Sequence, residues 1–453
     1  MLEHAPSSMP PDALTAEEVA APTTTDDTHA ANNEGEQPKG GGFFAPMRIA
    51  NFRRLLAGQT ISKIGDQFYF VAIPWLVLRG TSSPVALSLV VGSYALALGV
   101  FNMVGGVLAD RHGPRALMLF SDTARLIFMG ALAAVALLIS EPPLWSLIAL
   151  SVLLGIGSGL FYPASAAMTP FLVPANDLQA ANSYDQIVMQ TSNVVGPGVA
   201  GVVLSATRLA FGFVIDTVSF AASVLSLLLI RMPPRKVSAP ASAGEAAEAK
   251  STGSLGEAIT FLRHTPFLFA LVGLSLLGNF SITGVFEVAL PLLLKEQVGV
   301  LEGPRAMGII VGAMGLGSIL GAVIAGIAGR IRHKALVAIV ILIPTVALVA
   351  AMPFVNGVYV LAALFAGLGL FLAISNVLFI TVIQRFIPME MMGRMMSITM
   401  FGSFVGTPLS IFVYGLAATV VPGVAWLFLG GAVLFGGALV LALCMKVIWQ
   451  TVV

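Results

Sequence analysis

Stretches of roughly 20 or more mainly apolar residues succeed one another along this chain with only short polar breaks between them, each long enough to cross a ~30 Å hydrocarbon layer as a helix. Lipid offers no hydrogen bonds, so a chain that enters it this often must satisfy each backbone group within its own segment, which selects α-helices. Twelve such runs can be drawn, at approximately 53–78, 85–108, 116–139, 144–172, 183–205, 209–230, 268–294, 305–328, 335–354, 358–383, 395–418 and 424–447. With 57% hydrophobic and 10% charged residues, the 453-residue sequence is expected to form an all-α membrane protein of twelve transmembrane helices.

The formal net charge is +1, which gives no overall pull on nucleic acid, so the placement of charge matters more than its sum. Most of the 23 basic residues fall in the tail and in alternate loops, among them Arg53, Arg54, Arg111, Arg115, Arg231, Arg330, Arg332 and Arg385. Arg79, Arg208, Lys295 and Arg305 fall on the opposite side, and the positive-inside rule then puts both termini in the cytoplasm. Cys444 is the single cysteine, so no internal disulfide and no Cys-based metal site can form. The five histidines are scattered through loops and tail, and no G-x-x-x-x-G-K-[ST] phosphate loop occurs. We expect no cofactor, no metal, no enzymatic activity and no obligate protein partner.

Residues 1–45 are expected to be a disordered acidic cytoplasmic tail: 1–42 lack Phe, Trp and Tyr and carry Glu17, Glu18, Asp26, Asp27, Glu34 and Glu36. This start has neither the basic region nor the apolar core of a secretory signal, so the first span is expected to act as the insertion signal. A second polar stretch, 232–262, reads as a cytoplasmic linker between six-helix bundles at 46–231 and 263–448. The two halves look related. Ile73-Pro74-Trp75-Leu76-Val77-Leu78 closes the first span and Leu290-Pro291-Leu292-Leu293-Leu294 the seventh. The loop after the second span returns after the eighth as Gly329-Arg330-Ile331-Arg332-His333-Lys334, with Gly329 in the place of Asp110.

That first loop, Gly106-Val-Leu-Ala-Asp110-Arg111-His-Gly113-Pro-Arg115, resembles the signature between the second and third helices of major facilitator superfamily transporters. The resemblance implies the major facilitator fold, two pseudo-symmetric six-helix bundles with a substrate site between them near the bilayer midplane. It also implies a latch made by Gly106, Asp110, Arg111, Gly113 and Arg115 that holds the outward-facing state, with Asp110 facing the start of the eleventh span near Gly393 and Arg394. Gly106 and Gly113 would permit close approach and unusual torsions; the plainer alternative is a generic tight turn. Gly196-Pro197-Gly198-Val199-Ala200-Gly201 on the fifth span is similar to the signature of drug and proton antiporters, the alternative being simple close packing. Gly58-Gln59-Thr-Ile-Ser62-Lys63-Ile-Gly65-Asp66, Phe161-Tyr162-Pro163-Ala164 and Ala181-Asn182-Ser183 resemble the macrolide and siderophore exporter branch. That branch implies a multi-pass protein of the bacterial inner or plasma membrane that exports amphipathic small molecules, drugs or siderophore-like metabolites, in exchange for protons. An uptake symporter for a metabolite shares the same fold and loop, and a transport-inactive regulatory membrane protein is a third reading.

A charged acid near the bilayer centre costs roughly 2.5–3.5 kcal/mol on insertion scales, so each needs a reason. Asp66 lies mid-span in a polar stripe of Gln59, Ser62, Lys63, Asp66 and Tyr69, a face expected to line a cavity, unless Lys63 and Asp66 simply pair. Asn279, Thr283 and Glu287 recur every four residues on the seventh span and read as a polar column aimed at the central cavity. Glu287 and Asp66 are expected to carry protons, since half-dry surroundings penalise an ionised acid; the alternative for Glu287 is a structural hydrogen bond. Asp122 with Arg125 reads as an internal ion pair, and Asp216 as an acid satisfied by neighbouring hydroxyls or a facing helix. The fourth span, 144–172, lacks the arginine that many drug antiporters carry there. With 28 Phe and 19 Met, an adaptable apolar pocket is easily built.

Overall fold

The computed structural model describes residues 42–81, 83–231, 265–327, 334–386 and 389–445, with the side chains of 266, 334–335 and 383–404 outside that description. Most of the expected tail and the whole of the expected linker 232–262 fall outside the described residues, as does the repeated loop around Gly329 and Arg330. After a short turn at Ala45–Arg48 the chain runs through α1 (Ala50–Gly80), α2 (Pro84–His112), α3 (Pro114–Leu138), α4 (Leu144–Leu172), α5 (Leu178–Ala206) and α6 (Leu209–Leu229). The second half holds α7 (266–298), α8 (300–327), α9 (Lys334–Val340 continuing as Ile343–Ala351), α10 (Val358–Phe386), α11 (Met389–Val420) and α12 (Ala425–Cys444).

Local chemistry explains the breaks. Ser83 caps α2 by accepting from the Ala86 amide at 3.3 Å, and Pro84 occupies the first helical position, where its missing N–H costs nothing. Gly113, at φ +86°, ends α2 and hands the chain to Pro114 at the start of α3. Gly299, at φ +77°, separates α7 from α8. Among the described residues nine helices are long and apolar enough to cross a bilayer, and the longest of them, Phe267–Ile327, is α7 and α8 taken through that break. The more charged α1, and α11 with its apolar stretch Val405–Val420, complete the set of twelve.

The packing repeats with a shift of six helices. In the first half α1 lies on α5 and α6, α2 on α4, and α3 on α4 and α6; in the second, α7 lies on α11 and α12, α8 on α10, and α9 on α10 and α12. The halves meet chiefly through α2 with α11 and α5 with α8. Two glycines let the second pair touch backbone to backbone: a Cβ on Gly308 would sit 2.5 Å from the Pro197 carbonyl oxygen, and one on Gly201 would sit 2.9 Å from the Gly308 Cα.

The buried core is unequal along the helices. At the end away from the α2–α3 loop, one continuous cluster joins both halves, running from Phe68–Leu78 of α1 through Val285–Leu294 of α7 to Leu427 and Phe428 of α12. Gly303 lies against the indole of the fully buried Trp75 there. At the loop end the cores separate: Phe52, Leu117, Met168 and Leu227 pack within the first half, Phe267, Leu268, Ile339 and Leu439 within the second. Among the described residues the molecule is therefore closed at the far end and parted at the loop end.

Candidate functional site

Between the parted halves lies a cavity of about 520 Å³, lined from the first half by Gln67 and Phe70 of α1 and Gln190 and Asn193 of α5. From the second come Phe286 and Glu287 of α7, Met314 and Ser318 of α8, and Leu372 and Asn376 of α10. Gln67 donates weakly to Asn193 at 3.4 Å, tying α1 to α5 on the first-half wall. Glu287 has no hydrogen-bond or ion-pair partner among the described residues, so the one acid in this wall faces amides, hydroxyls and rings without a counter-charge. The repeat makes the asymmetry plain: Glu287 stands four residues before Pro291, and the residue four before Pro74 is Phe70, directly across the same cavity.

Glu287 owes its direction to a wide helical turn. Val285–Ala289 forms a π-helical turn inside α7, which holds one residue more than an α-turn and rotates the residues after it relative to those before it. Thr283 donates to Asn279 at 3.0 Å, so those two do stack. Glu287 parts from them: Asn279 lines a second cavity of about 450 Å³ inside the second half, with Ser275, Ser375, Phe379 and Phe435, while Glu287 lines the central one. A regular four-residue spacing does not survive an inserted residue, which corrects the single column expected from the sequence. Leu372 and Asn376 line both cavities and so form the partition between them.

The polar stripe of α1 is also turned differently from the sequence expectation. Gln59 is buried and donates to Ser165 of α4 at 2.7 Å, and Tyr69 donates to Ser151 of α4 at 3.1 Å. Both face the interior of the first half; the cavity takes Gln67 and Phe70 instead, because the α1–α4 contact claims the polar face. Asp66 enters a charge cluster in that interior. Its carboxylate lies 3.8 Å from the guanidinium of Arg125 on α3, which also pairs closely with Asp122 and stacks over Phe161 (4.2 Å) and Phe220 (4.5 Å). Ser223 of α6 donates to Asp122 at 2.6 Å, and Ser219 donates to Asp216 at 3.0 Å. Asp66 and Glu287 thus occupy separate environments.

At the loop end, Arg115 donates to the carbonyls of Leu227 (3.1 Å) and Leu228 (3.3 Å), capping the C-terminus of α6 where a cation is favoured. Asp110 and Arg111 are exposed, and Asp110 has no hydrogen-bond or ion-pair partner among the described residues; the side chain of Arg394 lies outside them. The close approach expected at Gly106 falls on its neighbour. A Cβ on Gly106 would meet open space, whereas one on Gly105 would sit 2.7 Å from Pro163 and 3.0 Å from the Gly159 carbonyl oxygen of α4. On α5, Gly196 lies against Gln67, while Pro197 and Gly201 form the seam with α8. Gln67, Ser318 and Asn376 line the cavity without standing out in the sequence; an isolated Ser318 and the pair Ser375-Asn376 in otherwise apolar runs are the available signals for the last two.

Two repeated bundles, joined at one end and parted at the other around a cavity that both line, make the inverted- and parallel-repeat architecture found in transporter folds. A profile of the Major Facilitator Superfamily matches residues 55–411. The chain belongs to that superfamily. It is 30% identical over 216 residues to the uncharacterized MFS-type transporter YfiS of Bacillus subtilis, covering 47% of this chain and 49% of that one. It is 28% identical over 182 residues to macrolide efflux protein A of Streptococcus pyogenes, covering 40% and 45%. It thus spans about half the length of these two relatives. The enterobactin exporter EntS of Salmonella typhimurium is matched more broadly, at 28% identity over 364 residues, 76% of this chain and 80% of that one. Among solved structures, a D-xylose-proton symporter aligns with a TM-score of 0.64 at 16% identity, over 90% of this chain and 98% of that one, which shows a shared fold.

Proposed function

We propose that the protein is a secondary active exporter of amphipathic small molecules, such as macrolide-like drugs or siderophore-like metabolites, working by alternating access in a bacterial plasma membrane and exchanging its cargo for protons. The carrying observation is Glu287, an acid without a counter-charge in a cavity shared by both halves. An ionised carboxylate is costly there, whereas an acid that carries a proton, or meets a donor or cation on the cargo, is not. One proton falling through ~100 mV releases about 2.3 kcal/mol, enough for a roughly fifty-fold gradient of a neutral solute. The phenyl rings and Met314 around the acid supply adaptable apolar surface. Export is supported by the macrolide efflux and enterobactin exporter relatives; the fold alone does not choose, being shared with a D-xylose-proton symporter.

In this reading the basic loop end is cytoplasmic, with the tail 1–45 and linker 232–262 on that side, and the structure is the inward-open state. The latch is then released: Arg115 stays on α6 of its own half and Asp110 is free to engage α11 when the loop end closes. The test is transport by the full chain in proteoliposomes under an imposed pH gradient, with a panel of hydrophobic drugs and Glu287→Gln. Gradient-driven drug movement that collapses in Glu287→Gln supports the proposal. Drug movement indifferent to both gradient and substitution overturns proton exchange through Glu287, and solute driven down the proton gradient into the proton-receiving compartment selects the symport alternative.

A further inference from the structure

The first half buries three carboxylates around one guanidinium. Asp122, Asp216 and Arg125 are 0%, 0% and 1% exposed, and the side chain of Asp66 retains 14%. They come from α1, α3 and α6, so the cluster binds three helices of the half together. Lys63, the next cation, is divided between Asp185 of α5 and Asp66. With every acid ionised, three negative charges would face one positive charge in a space without bulk water. Burial of that kind is sustained only by pairing or by a proton. Among the described residues no three acids, histidines or cysteines are gathered to hold a metal ion.

The hydrogen bonds say which acid is the least supported. Asp122 accepts from Arg125 on one oxygen and from Ser223 on the other. Asp66 has the Arg125 guanidinium and partial exposure. Asp216 has only the Ser219 hydroxyl on Oδ1, and that hydroxyl also points at the backbone carbonyl of Asp216 itself at 2.8 Å. Its Oδ2 is buried without a hydrogen-bond partner among the described residues. The charges acting on Asp216 are Asp66, then Arg125 and Asp122, two of the three repulsive. Tyr69 of α1 and Tyr162 of α4 are also within electrostatic reach of Asp216, and Tyr69 is within reach of Glu287 as well. A Cβ at Gly65 would lie 2.6 Å from Asp216 Oδ1, so the carboxyl is pressed against α1 beside Asp66.

We propose that Asp216 is a proton-binding residue of this carrier, taking one proton on the otherwise unsupported Oδ2 while Arg125 holds Asp122 ionised. Asp66 is the member of the cluster with exposed surface, so the cluster meets its surroundings there. The site is separate from Glu287 and does not depend on what the cargo is. It gives each half of the molecule its own protonatable group, one inside a bundle and one between bundles.

The test needs no cargo. Infrared difference spectra of the full chain in liposomes, recorded on stepping the pH, show a carbonyl band for each carboxyl that gains a proton. We expect two bands in the unaltered protein, one lost in Glu287→Gln and the other in Asp216→Asn. A spectrum that Asp216→Asn leaves unchanged overturns the proposal, whatever the protein transports. Should Asp216→Asn fail to fold, Ser219→Ala removes the single donor to the carboxylate and is expected to tighten proton binding at the second band about tenfold while the Glu287 band stays in place. A second band that does not move, or its absence, refutes the assignment. Failure of drug export with both bands intact would instead count against the exporter reading alone.

Discussion

Replacing Gly308 by alanine puts one methyl group into the seam between the halves, and the structure sets the size of the effect. The new Cβ would lie 2.5 Å from the Pro197 carbonyl oxygen and 2.8 Å from the Gly201 Cα. Comfortable contacts are about 3.5–4.0 Å, so α8 must draw back by about 1 Å. Both obstacles are backbone, which cannot swing aside as a side chain can. Overpacking of this kind costs about 1–3 kcal/mol, charged here against the arrangement in which α5 and α8 touch. A difference of that size moves a two-state population by roughly 5- to 150-fold. Gly312, one turn further along α8, is the internal control, because its Cβ would sit 3.6 Å from the nearest atom. The assay is a spin-label distance between the two halves at the far end, with labels at Glu141→Cys and Phe354→Cys in a Cys444→Ser background. Gly308→Ala should lengthen and broaden the distance distribution while Gly312→Ala reproduces the parent. Equal distributions for both would show that the seam at Gly201 and Gly308 does not govern closure.

Other contacts give further expected outcomes. Arg125→Met should cost about 3–5 kcal/mol by leaving Asp122 buried without its cation; thermal unfolding monitored by size-exclusion should show the loss, and adding Asp122→Asn should recover part of it. Arg115→Ala removes two charge-assisted donors from the carbonyls of Leu227 and Leu228, for a loss of about 1–2 kcal/mol measured by melting temperature, and an unchanged melting point would mean the cap is idle. Gly113→Ala forces a side chain into φ +86° and should cost about 1–3 kcal/mol in the same assay, with Asp110→Ala as the neutral neighbour.

Helix number and the two-fold repeat are legible in the sequence because bilayer thickness imposes one length on every span and the Pro74 and Pro291 segments mark the same point in both halves. Glu287 is legible as a costly acid in an apolar run. Rotation is not. The π turn at Val285–Ala289 separates Glu287 from Asn279 without a residue type that announces it, and the contact of Gln59 and Tyr69 with serines of α4 depends on which face of α1 the bundle claims. Asp216 reads as structural from the chain alone because its three charged neighbours come from α1 and α3, far away along the sequence. Gly105 and Gly106 are indistinguishable by composition; only the position of Pro163 on α4 decides which one must lack a side chain.

The wide turn in α7 has a bearing on descent. If the halves arose by copying one ancestral bundle, their first helices began with the same rotational phase, and a single added residue was enough to swing one of the two copies by about a quarter of a revolution. Duplication with such an insertion keeps Phe70 and Glu287 on the two walls of one chamber while turning the residues that precede the acid, Asn279 among them, towards another. Excising one residue from 285–289 would accordingly return Glu287 towards the phase of Asn279 and leave the shared chamber without its acid.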